Sequence, residues 1–261
     1  MLTTSKHIVM WSIARSRSTV ITRAFEQLPN CLVYDEPLSG VYWQNNPHSN
    51  YERDTLVRLL SDGNDMEFDF KAIIAQLTGE LPPGCAFSFQ KHMSHHCLGA
   101  PNRDWLKQVN LKRHFFIIRP PQAVILSQLK CMSGNSLPTL ETLGYEHHYT
   151  LFQEIQDLLG DIPPVINTDR LVAQPETYLR FLCERLGIEF SEQMLAWDAK
   201  PQATQLRWTP GTLWSRYYDN VLNSTGFVAK SSEQALPTEL VPVMEACLPF
   251  YEAMMRYAIE L

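Results

Sequence analysis

The 261-residue chain lacks an apolar run long enough to span a bilayer, any CxxC spacing, any internal repeat and any low-complexity tract. Its apolar opening stretch, Ile8 to Ala14, is too short for a membrane helix and runs into Arg15 and Arg17 without a small-residue cleavage signature. No membrane insertion is therefore expected. The six cysteines (Cys31, Cys85, Cys97, Cys131, Cys183, Cys247) are scattered and mostly lie within apolar runs, so they read as core residues of a protein in a reducing cytoplasm. Excess positive charge is missing as well. A net charge of −6 gives no global attraction to nucleic acid or to acidic membranes, so any anion site has to be built locally.

What is present is ordinary for a globular protein: 45% apolar and 19% charged residues, in a length that suits one domain over residues 1–261. Short apolar runs at His7–Ile13, Cys31–Tyr34, Ala86–Phe89, His114–Ile118 and Val165–Asn167 read as strands covered on both faces. Helical periodicity falls between and after them, at Ser18–Gln27, Glu52–Leu60, Phe68–Leu77, Pro121–Cys131, Leu140–Leu159 and Pro175–Leu186. This alternation predicts a three-layer α/β fold around a central parallel sheet. Thr209–Phe227 reads as an aromatic, loop-like segment, residues 205–230 as an acceptor-side loop region, and Thr238–Ile259 as one long amphipathic helix. Asn45–Asn50 and Pro82–Gly84 read as surface loops.

The most informative stretch is IVMWSIARSRSTVITRAF, from Ile8 to Phe25. An apolar strand feeds a polar turn and then a helix start, where unpaired N–H groups and the positive end of the helix dipole converge. Ser16, Ser18 and Thr19 add hydroxyls, and Arg15 and Arg17 add charge. A nucleoside-triphosphate loop would need G-x-x-x-x-G-K-[ST], yet this one has neither glycine nor lysine. The acidic run LVYDE at Leu32–Glu36 imitates a magnesium-holding strand end, but it is weak without that first motif.

These residues resemble the sulfotransferases that use 3′-phosphoadenosine 5′-phosphosulfate (PAPS). Arg15-Ser16-Arg17-Ser18-Thr19 is similar to the family's [KR]-S-G-[ST]-[ST] loop, with Arg17 in place of the glycine. HFFIIRPPQAVILSQ resembles its 3′-phosphate element, a strand-terminal arginine (Arg119) with a serine eight residues later (Ser127). Thr168-Asp169-Arg170-Leu171, with Pro175 and LCERLGI, resembles a third family segment. The C-terminal R-K-G-x-x-G-D-W element has no clean counterpart, and Ser224-Thr225-Gly226-Phe227 is the substitute. The resemblance is thus to a divergent, bacterial-type branch with a P-loop NTPase-like sulfotransferase fold. It implies PAPS as donor, adenosine 3′,5′-bisphosphate as product, a small-molecule hydroxyl or amine as acceptor, and no metal. It also implies that Arg15, Ser16, Arg17, Ser18 and Thr19 hold the 5′ side, and that Arg119, Ser127, Thr168, Thr225 and Gly226 complete the nucleotide site. Arg17 either turns outward or adds a second charge near the sulfuryl group.

For the base, FSFQKHMSHHC (Phe87–Cys97) is similar to the family's strand ending in K-T-H. Lys91 matches the lysine, but Met93 stands at the histidine position, so the role passes to His92, His95 or His96. The alternative is Glu36 of Asp35-Glu36-Pro37, as in carbohydrate-type members. A histidine titrates near neutrality without tuning, which favours His92 or His96 over a glutamate that would need burial. As metal ligands, His92, His95, His96 and Cys97 form a single cluster without a partner motif. His147 and His148 read as helix residues, and Trp208, Trp214, Tyr217 and Tyr218 as packing near the mouth of the site. The alternatives to a sulfotransferase are an ATP- or GTP-dependent kinase and a nucleotide-binding protein without catalysis.

Overall fold

The five apolar runs pair side by side: four are buried on both faces, the condition under which parallel strands are found, and the Cys31–Asp35 run at one edge of the sheet is half-buried. In the computed structural model, which describes residues 6–45, 67–99, 103–131, 137–200, 215–229 and 234–261, they form β1 (His7–Ser12), β2 (Cys31–Asp35), β3 (Phe87–Met93), β4 (His114–Ile118) and β5 (Val165–Asn167). The order is β2-β3-β1-β4-β5, and every pairing is parallel. Alternation along β1 sends Ile8 and Met10 into the core on one face, and Val9 and Trp11 into the core on the other.

Helix α1 (Ser18–Glu26) covers the first face through Val20, Ile21, Ala24 and Phe25, together with α7 (Thr168–Ala173) and α8 (Pro175–Leu186). The second face is covered by α2 (Ser39–Asn45), α3 (Phe70–Thr78) and α6 (Tyr145–Leu159). Two further helices, α4 (Pro121–Leu129) and α10 (Val241–Met255), meet around Val124, Ile125 and Cys247. The helix expected over Leu140–Leu159 is two helices. Gly144, at φ 76°, closes α5 (Leu140–Leu143) before α6 begins. The positive φ suits glycine, and a Cβ there would lie 3.6 Å from His95 Nδ1.

Within the segment read as a loop, Ser215–Leu222 is helix α9. The C-terminal helix is shorter than its periodicity suggests. A 3-10 turn at Thr238–Leu240 precedes it, and it ends at Met255 because Ile259 N–H bonds to the Val165 carbonyl at 2.9 Å, drawing the chain to the end of the sheet. The expected helix Glu52–Leu60 and residues 46–50 lie outside the described residues. No described helix is long and apolar enough to cross a membrane.

Strand β1 lies between β3 and β4, while the chain leaves it toward β2 on one edge and later returns to β4 on the other side. The carboxyl ends of such strands leave a crevice where strand order reverses. The loop after β1 opens into it.

Candidate active site

The site is a cavity of about 460 Å³ lined by the β1–α1 loop, the ends of β2 and β3, the β4–α4 junction, and α9 with its following turn. Among the described residues, the non-glycine positions with positive φ are Arg15 (62°), Arg17 (65°) and Glu36 (50°). All three line this cavity. A side chain in the left-handed region costs about 1–2 kcal/mol, and such strain gathers at functional sites. Arg17, at the place where the resembled loop pattern has glycine, therefore holds a backbone conformation that favours glycine. Ser18 and Thr19 begin α1 and face the cavity. Ser16 does not: its hydroxyl donates to the Ile13 carbonyl at 2.6 Å and is fully buried. Its expected contact with an anion is thus replaced by a brace on the turn.

At the cationic end, Arg15 Nε donates to Ser127 Oγ at 3.1 Å, and Arg119 Nη1 donates to the Arg15 carbonyl at 3.0 Å. The pair Arg119 and Ser127, expected to fork onto one phosphate, is thus joined through Arg15. Tyr145 Oη donates to the Arg119 carbonyl at 2.7 Å. Asp169 Oδ1 lies 3.3 Å from Nε of both Arg17 and Arg119, an ion-paired position that the sequence did not signal. Burial, with Arg17 alongside, lowers the pKa of Arg119. Thr168 is placed elsewhere: its buried hydroxyl donates to the Ile118 carbonyl at 3.2 Å, bracing the end of β4 outside the cavity wall.

The other end is acidic and closed. Lys91 Nζ lies 2.8 Å from Asp35 Oδ1 and 2.9 Å from Glu36 Oε1, with only 1% of its side chain exposed. Tyr218 Oη donates to Asp35 Oδ2 at 2.6 Å, and its ring lies under the Lys91 ammonium at 5.4 Å. Burial alone would lower the pKa of Lys91, but the two carboxylates outweigh it and the pKa is raised. For Glu36 burial dominates and raises the pKa, against the pull of Lys91. Asp35 and Glu36 are thus committed to Lys91 and Tyr218, which leaves the LVYDE run unlike an open magnesium site.

Strand β3 runs four residues beyond the expected Phe89, to Met93. Alternation then decides the histidines. Phe87, Phe89, Lys91 and Met93 share the α1 side, whereas His92 points to the opposite core. There its ring lies 4.9 Å from Trp11 and 5.6 Å from Trp105. Burial lowers its pKa to about 3, and it does not line the cavity, so His92 is removed as the base. His95 and His96, on the following 3-10 turn (Ser94–Gly99), do line it. Burial, with His147 nearby, lowers His95 to about 4, and burial with His95, His92 and Lys91 holds His96 well below its ordinary value. Both are neutral at pH 7.

Gly226 lines the cavity and Thr225 does not. The Thr225 carbonyl accepts from Trp197 N–H at 3.2 Å, and Gly226 bridges to Ala196. Trp208 and Trp214 lie outside the described residues, while Tyr218 is a cavity residue. His148 is buried, with Nε2 against the Ile117 carbonyl at 3.0 Å and Nδ1 against Ser94 Oγ at 2.6 Å. Among the described residues no group of three or more His, Cys, Asp or Glu could hold a metal ion.

A loop with two strained arginines thus stands at the switch point of the parallel sheet of an α/β protein. Residues 6–258 match the family described as Sulfotransferase domain, and the chain belongs to that family. Two Arabidopsis thaliana proteins, branched-chain-amino-acid aminotransferase-like protein 2 and protein 1, are 29% and 28% identical over 244 and 246 residues. The match covers 92% of this chain, which spans 40% of the length of each relative. Among solved structures, the sulfotransferase domain from the curacin biosynthetic pathway matches at a TM-score of 0.54 and 15% identity, covering 98% of this chain and 99% of that one. A sulfotransferase from Alicyclobacillus acidocaldarius matches at 0.53 and 11%, covering 98% and 97%. These structures share the fold.

Proposed function

We propose that the chain transfers a sulfuryl group from PAPS to a hydroxyl or amine of a small-molecule acceptor, without a metal. The observation that carries this reading is the meeting of Arg15, Arg17, Ser18 and Thr19 with Arg119 and Ser127 around one cavity. Three guanidiniums, three hydroxyls and a helix start fit a polyanionic nucleotide, since guanidinium forks and helix N–H groups both favour phosphate and sulfate. Arg15, Ser18 and Thr19 would hold the 5′ side, Arg119 with Ser127 the 3′ side, and Arg17, which shares Asp169 with Arg119, would stand between them. When bound, the donor supplies the sulfuryl group and a phosphate leaving group.

The chain supplies placement, charge and a proton acceptor. Arg15, tied to Ser127, holds positive charge where the leaving group departs, which lowers the barrier by electrostatic stabilisation. Glu36 is the acceptor's base in this reading. Its raised pKa brings it closer to the working pH, it lines the cavity, and its strained backbone fixes its carboxylate beside Lys91. Lys91 positions that carboxylate. His96 is the second choice, because its lowered pKa makes it a weaker base.

Calorimetry with adenosine 3′,5′-bisphosphate tests the reading. Binding is expected, and Arg119→Ala weakens it by about 1.5–3 kcal/mol through lost charged hydrogen bonds. Arg15→Ala lowers kcat more than affinity. No bisphosphate binding by the wild type overturns the proposal. A second reading, nucleotide binding without turnover, draws on Met93, which lines the cavity where the resemblance expects a histidine. Sulfated product from any acceptor in a panel decides against it. The kinase reading has no supporting observation, because Lys91 and Tyr218 occupy the acidic pair.

A further inference from the structure

Two guanidiniums of the cavity converge on a single carboxylate oxygen. Asp169 Oδ1 is 3.3 Å from Nε of Arg17 and 3.3 Å from Nε of Arg119. The Asp169 side chain is 38% exposed, against 17% and 11% for the two arginines, so the anion sits on their solvent side. Its carboxylate is not what starts α7. Asn167 Oδ1 does that, accepting from the N–H groups of Asp169 at 3.0 Å and Arg170 at 3.2 Å. The separations exceed the roughly 2.7–2.9 Å of a close charged hydrogen bond, and partial exposure screens them.

Resting on the donor reading above, we propose that Asp169 is a resident counter-anion between Arg17 and Arg119 that the donor's 3′-phosphate displaces on binding, so that it sets how tightly 3′-phosphorylated nucleotides are held. A phosphate offers the two guanidiniums more negative charge and more acceptor oxygens than the carboxylate does, and this drives the exchange. The proposal also gives Arg17 a role. It balances Asp169 before the exchange and adds the second positive charge after it. The cost of displacing Asp169 falls on nucleotides that carry the 3′-phosphate and spares those that do not.

The test is calorimetric titration of wild type, Asp169→Asn and Asp169→Glu with adenosine 3′,5′-bisphosphate and with adenosine 5′-monophosphate. Asp169→Asn is expected to tighten bisphosphate binding at least about fivefold while changing monophosphate binding less than about twofold. Asp169→Glu, which keeps the charge, returns the ratio toward that of the wild type. Asp169→Ser should reproduce the Asn result, and it serves where the amide disturbs the helix start; thermal unfolding of each variant confirms the fold. Bisphosphate binding that is unchanged or weaker in Asp169→Asn overturns the proposal and makes Asp169 a brace for Arg119. Equal tightening of both nucleotides overturns it too, as general relief of negative charge. Wild type that binds neither nucleotide overturns the donor reading itself.

Discussion

The two ends of the cavity handle charge in opposite ways. At the lysine end, Lys91 is sealed between Asp35 and Glu36 at 2.8 and 2.9 Å, with Tyr218 closing the group at 2.6 Å. At the arginine end, Arg17 and Arg119 share Asp169 at 3.3 Å with water in reach of the carboxylate. Short buried contacts between opposite charges fix geometry, because breaking one strands an ion in a low-dielectric interior. Longer, half-exposed contacts are exchanged at little cost. One end is therefore suited to orient reacting groups and the other to trade a resident anion for an incoming one.

Removing the lysine should have the largest effect. Lys91→Ala leaves two carboxylates facing each other in a buried site and is expected to cost about 3–5 kcal/mol, measured as a drop in urea midpoint. A loss below about 1 kcal/mol would make the two ends equally loose and erase the contrast.

Acid comes next, and it acts on buried histidines, most of which lie outside the cavity wall. His92, His114 and His148 have pKa values lowered by burial to about 3, and His95 is lowered to about 4 by burial and His147, from an ordinary 6.5. A depressed histidine binds fewer protons when folded than when unfolded. Its contribution is thus complete above pH 6.5 and lost as pH falls toward 3–4. Each such group adds up to about 1.4 kcal/mol per pH unit to the slope. Urea midpoints between pH 7 and 5 should fall steeply for the wild type and less so for His92→Gln. A flat wild-type profile would mean that these rings charge without loss of the fold.

The smallest effect belongs to the arginine end. Arg17→Gly removes a strained φ worth about 1 kcal/mol and a partly exposed ion pair worth about as much, so the thermal midpoint should barely move. A loss above about 2 kcal/mol would show that Arg17 is structural rather than exchangeable.

Much of the frame was legible because strands of a parallel sheet write themselves as short apolar runs, and each of the five strands overlaps one. The limits of β3 were not legible. Polar residues Gln90, Lys91 and His92 continue the strand, since their partners lie across the sheet, and without its true end the parity of Lys91 and His92 could not be read. Gly144 marked a helix boundary that helical periodicity alone ran through. In the site, Arg15, Arg119 and Ser127 were visible from motif spacing, whereas the inward turn of Ser16 was hidden in hydroxyl geometry. Tyr218 stands 183 residues from the Asp35 it contacts, on a segment whose composition resembles a loop. Asp169 was legible as part of a family-like segment, but its ion pairs with Arg17 and Arg119 were not, because an acid at a helix start is usually read as a partner of the helix dipole.

The left-handed backbone at Arg17 reaches beyond this molecule. Glycine announces such a turn in a sequence pattern, but here the turn persists after the glycine is gone, stored in the main chain and surrounded by arginines. A search keyed on that glycine would pass over this chain while the conformation it stands for remains intact. Relatives of this kind are better sought by the strand, the helix start and the distant Arg119 with its serine eight residues on.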